Sequence, residues 1–128
     1  MTPAFFAAQT QASARENAAQ VIKPVRQRPQ AAADIAAIAD YMRKDSRVAA
    51  LKFVDAVEAA YELLSSHPAG GSTRHAALLP ELPAPLRFHP IKGFERILIY
   101  YFDLSKAVGV IRVWDAARGL EALIADEP

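Results

Sequence analysis

The chain has 128 residues, a formal net charge of +1 and 52% apolar side chains. That suits one domain with a single core, and it excludes both a disordered chain and a protein that coats nucleic acid by bulk charge. The absence of cysteine excludes disulfides, thiolate metal sites and a cysteine nucleophile.

Residues 1–20 are rich in Ala and Gln and read as an N-terminal appendage, a short helix or a disordered tail, with the domain proper over residues 21–128. The appendage has no basic region before an apolar block, so it is a poor signal peptide. No apolar run approaches the roughly 18 residues that span a bilayer, so no membrane partner and a cytoplasmic location are expected.

VIKPVRQRP (Val21–Pro29) predicts a short strand, and Pro24 and Pro29 are confined to an edge strand or to the strand's ends. The apolar period then lengthens. Ile35, Ile38, Ala39 and Met42 predict an amphipathic helix of about fourteen residues. Asp34 near its start and Arg43 and Lys44 at its end suit the helix dipole. Asp45-Ser46 supplies a turn and an N-cap. A second helix carries the stripe Leu51, Val54, Val57, Tyr61 and Leu64, widened by Phe53 and Ala60, and ends at His67-Pro68. So short a link between two helices makes a helical hairpin.

Residues 70–85 read as a loop. From Leu86 the period becomes two, with a Lys92-Gly93 turn and a second turn over residues 103–106. The last two strands are apolar on both faces, so both faces are covered. Residues 116–126 predict a short closing helix with Leu120, Leu123 and Ile124 on one side. The fold class is α+β: an N-terminal strand, an α-helical hairpin packed on a three-stranded antiparallel meander, and a short C-terminal helix.

The meander holds the chemistry. Arg87 and His89 lie two residues apart on one strand and Arg96 follows across the turn, while Arg112 and Arg118 add charge farther on. Cations with one histidine suit a phosphate. The same residues also have structural readings. Arg87 pairs with Glu81 or Glu95, His89 lies at the surface of an edge strand, and Asp115 pairs with Arg112 or Arg118. Trp114, Tyr100 and Tyr101 belong to the core or sheet surface, and His75 to an exposed loop. The three histidines lack metal-ligand spacing, so no metal is expected.

Four segments carry a resemblance: PQAAADIAAIADYM, the helix end LLSSHP, LRFHPIKGFERILIYYF and VIRVWDAARGLEAL. In this order and spacing they resemble the RelE/ParE toxin superfamily of type II toxin–antitoxin systems, closest to its ParE branch, over Val21 to Ala125. The resemblance implies a RelE/ParE-like fold, a ParD-like antitoxin as partner and no cofactor. It implies a toxin linked to plasmid stabilization that binds and poisons DNA gyrase without catalytic residues, and no direct nucleic-acid binding by the toxin alone. The face expected to meet target or antitoxin then comprises Arg87, Arg96, Arg112, Trp114 and Arg118. The RelE branch implies instead a ribosome-dependent mRNA endonuclease, with Arg87, His89 and Arg96 as catalytic candidates. The sequence departs from family patterns: no tyrosine follows Arg118, Asp115 stands where many relatives carry His, and Gly119 replaces an Asp. These departures also admit a non-toxic relative that only binds its antitoxin.

Overall fold

The computed structural model describes residues 22–78 and 84–125. The appendage at 1–20, Glu81 and Asp126 therefore lie outside the described residues. The elements are β1 (Val25–Gln27), α1 (Pro29–Asp45), α2 (Arg47–Ser66), β2 (Arg87–Ile91), β3 (Phe94–Asp103), β4 (Val108–Asp115) and α3 (Leu120–Ala125), with short 3-10 turns between them. The α+β class and the element order agree with the sequence. The first strand adds a detail that periodicity does not contain: β1 joins the sheet parallel to β4, giving the strand order β1-β4-β3-β2.

Helix α1 starts at Pro29, whose fixed φ and missing N–H suit a first helical turn. Only Ser46 separates α1 from α2, and its side chain accepts the Ala49 N–H at 3.1 Å, so the N-cap sits where the sequence placed it. The buried line of α2 runs through Ala50, Phe53, Val57, Ala60, Tyr61 and Leu64. Leu51 is thus not a core residue; it is 59% exposed. Its Cβ lies one residue, about 100°, off the inward line.

The two faces of β3 and β4 build two cores. Ile97, Ile99, Tyr101, Val110 and Val113 pack with the helical hairpin. Leu98, Tyr100, Phe102, Ile111 and Trp114 pack with Leu86, Phe88 and Leu123 on the other side. Strand β2 is one sheet edge. There the Phe88 N–H and carbonyl bond Ser72, and Pro90, two residues on, offers no donor to the outside.

The closing segment is broken where one helix was expected. A 3-10 turn over Ala116–Arg118 leads to Gly119 at φ 81°, and α3 begins at Leu120. Glycine takes that backbone conformation without the steric penalty of a Cβ. The kink lets the Gly119 carbonyl accept the Trp114 indole N–H at 3.1 Å.

Candidate functional site

The hairpin β2–β3 decides which cations can act together. A plain two-residue turn at Lys92-Gly93 pairs Ile91 with Phe94, and continuing that register would set His89 opposite Arg96. The ladder instead shifts between Pro90 and Ile91, so Pro90 faces Leu98, His89 faces Ile99 and Arg87 faces Tyr101. Arg96 is therefore five residues along β3 from the Arg87 position, about 16 Å at 3.3 Å per residue. The structure does not bring Arg87, His89 and Arg96 together.

Each of the three has its own surroundings. Arg87 is half-buried, and its Nη1 donates to the carbonyls of Ala69 at 3.1 Å and Gly71 at 3.0 Å. It clamps the turn after α2; of the two acids considered, Glu95 accepts the Gly93 N–H and Glu81 lies outside the described residues. His89 is half-buried on the rim of a groove of about 400 Å³ between α2 and β2. Burial lowers its pKa from the usual value. Arg96 is 70% exposed and pairs with Asp115 at 2.9 Å. Asp115, expected against Arg112 or Arg118, thus bridges β4 to the start of β3 and also accepts the Ala117 N–H.

Arg112 and Trp114 need a correction. Both were named for the face that meets target or antitoxin, yet they are only 2% and 1% exposed, and for Trp114 the core reading is the one that holds. Strand β1 ends at Gln27, so on that side β4 has no strand beside it after Val110. Asp34 of α1 fills that edge. Its carboxylate accepts Arg112 Nε at 2.8 Å, Arg112 Nη2 at 2.9 Å and the Val113 N–H at 3.0 Å. Asp34, expected to serve the helix dipole, is instead the buried partner of a bidentate ion pair. Its charge, after burial, helps push the Tyr61 phenol up from its ordinary value. Trp114 lies under Arg118, whose guanidinium carbon is 4.0 Å from the ring centroid. The indole thus supports the arginine and is not itself a contact surface.

What remains open at this end of the meander is a pair of exposed guanidinium groups, Arg96 and Arg118, fixed by Asp115 and Trp114. Both lie where β3 begins and β4 ends.

His75 was expected to be solvent-exposed and is half-buried. Its ring stacks on Phe88 at 4.4 Å, and Nδ1 lies 3.0 Å from the Tyr100 hydroxyl. Periodicity offers no signal for this, because the contact comes from a loop folding over the far side of the sheet. Burial first, and the neighbouring Arg74 charge second, lower the His75 pKa. Both shifted histidines bind protons less readily folded than unfolded, so each contributes a loss of stability as pH drops below about 6.5. Urea unfolding between pH 7.5 and 5.5 should show that loss, and His75→Gln should flatten the slope. An unchanged slope would rule out the His75 contribution.

Among the described residues, no group of three His, Cys, Asp or Glu could hold a metal ion. No helix among them is long and apolar enough to cross a membrane. No curated protein matches the chain. Residues 25–120 match the family model described as the ParE toxin of the type II toxin–antitoxin system parDE. That match takes in α1, α2, the whole sheet, Arg96 and Arg118, and it makes the chain a member of the ParE toxin family of type II toxin–antitoxin systems.

Proposed function

We propose that this toxin acts by binding: it docks on DNA gyrase in the cytoplasm, poisons it, and is neutralised by a ParD-like antitoxin. The observation that carries this reading is the exposed pair Arg96 and Arg118, held at one end of the sheet by Asp115 and Trp114. Such pre-ordered cations suit an acidic protein surface, because charge steers the encounter and little side-chain freedom remains to be lost. The endonuclease alternative needs Arg87, His89 and Arg96 around one phosphate, and the β2–β3 register counts against it.

The test is a supercoiling assay with purified gyrase, run beside a ribosome-dependent mRNA cleavage assay. The expected result is inhibited supercoiling and intact mRNA. The double variant Arg96→Glu/Arg118→Glu should weaken inhibition roughly tenfold or more, since about 1.4 kcal/mol of lost binding gives that factor. Cleaved mRNA with untouched supercoiling, abolished by His89→Ala, would replace this reading with the nuclease. If neither assay responds to the folded chain and the antitoxin still binds, the chain is a non-toxic relative.

A further inference from the structure

Helix α2 carries a second stripe, on the side opposite its buried one. Val48, Lys52, Asp55 and Ala59 are spaced four, three and four residues apart, so they form one line along the helix. All four are exposed, Val48 to 61%, and Leu51 flanks them at 59%. These are large exposures for apolar residues in the first turns of an ordered helix. Lys52 and Asp55 take part in no ion pair among the described residues. Beside the line lies the groove against β2, with the small side chains of Ala56, Ala59 and Ala60 in its wall.

The stripe is complementary to itself. Two copies of α2 laid antiparallel, with a twofold axis level with Phe53 and Val54, place position 52 against position 55 of the other copy and position 48 against position 59. Lys52 then meets Asp55 of the partner subunit, twice. Val48, a large apolar group, meets the small Ala59 of the partner subunit at the edge of the groove, also twice. Such isologous matching is what a twofold interface requires. Parallel packing would set lysine against lysine and aspartate against aspartate.

We infer that the free toxin associates into a twofold homodimer through the outer face of α2. The occupant is a second copy, because the stripe supplies both charges and both sizes needed to cover itself. A strand is disfavoured there, because Pro90 on the adjoining edge of β2 has no N–H to offer. A single helix pair falls at the low end of the roughly 1,200–2,000 Å² buried by stable interfaces, so association in the micromolar range is expected. The inference does not depend on which target the toxin acts on.

The experiment is sedimentation velocity of the full chain, made by cell-free synthesis, from low to high micromolar concentration. The expected result is a shift from 13.9 kDa towards twice that mass. Lys52→Asp should raise the dissociation constant tenfold or more, by setting like charges together twice. Adding Asp55→Lys should restore association, because it re-forms the pair with its signs exchanged. Circular dichroism and melting curves of each variant confirm that helix and fold persist. Mass that stays at 13.9 kDa throughout would overturn the proposal. So would a dimer that ignores both Lys52→Asp and Leu51→Lys, since it must then use another face.

Discussion

Replacing Asp34 by alanine is expected to lower the unfolding free energy by about 3–5 kcal/mol, the usual cost of removing one partner from a buried ion pair. The carboxylate holds two nitrogens of Arg112 and the Val113 N–H, and both Asp34 and Arg112 are almost fully buried. Without it, the guanidinium loses two hydrogen bonds and the Val113 N–H loses its acceptor inside the protein, where water cannot substitute. The stabilisation also has a topological role. Asp34 stands in for the strand that β1 is too short to supply, so its loss should loosen α1 from β4. Urea unfolding of Asp34→Ala and of Asp34→Ala/Arg112→Met separates the two effects. The double variant should recover part of the loss, because it removes the buried positive charge together with its counter-charge. If Asp34→Ala costs under about 1 kcal/mol, the pair is not the strut described here.

The second large effect is expected at Gly71. A Cβ there would collide with the Tyr101 hydroxyl and lie 2.8 Å from two ring carbons, so the residue is glycine for want of space. The Tyr101 hydroxyl accepts the Gly71 N–H at 2.8 Å and donates to the Pro68 carbonyl at 2.7 Å. Gly71→Ala must therefore displace a buried tyrosine. Overpacking of this kind costs about 1–3 kcal/mol. The two backbone groups left without the phenol add a comparable amount. The same turn receives the Arg87 clamp, so β2 and the end of α2 should become mobile together. A double-mutant cycle with Tyr101→Phe tests the mechanism. Removal of the hydroxyl takes away the nearest clash and both hydrogen bonds, so the two losses should sum to more than the double variant shows. Strict additivity would mean that Gly71 matters for some other reason.

Both predictions concern residues whose importance a linear reading misses. Asp34 and Arg112 are 78 residues apart, and each alone looks like an ordinary surface charge. Gly71 looks like one more loop glycine. The pairing and the close approach exist only once α1 has been laid along β4 and the turn after α2 pressed onto β3.

The amino-acid sequence alone determined the order and type of the elements. Apolar spacing of three and four marks α1 and α2, a period of two marks the meander, and proline, glycine and Ser46 mark the breaks. These signals are local, and local backbone preference obeys them. The order of the segments also sufficed to point to the family. Tertiary structure decided everything that depends on register and phase. A shift in one β ladder separated His89 from Arg96. One residue of helical phase turned Leu51 from the core to the outside of α2. The short reach of β1 drew Arg112 inward to Asp34, leaving Arg96 and Arg118 as the exposed cations at the open end of the sheet. In each case the physical reason is the same: a side chain's role depends on which groups other segments bring within hydrogen-bonding and packing distance, and those groups are remote in the chain.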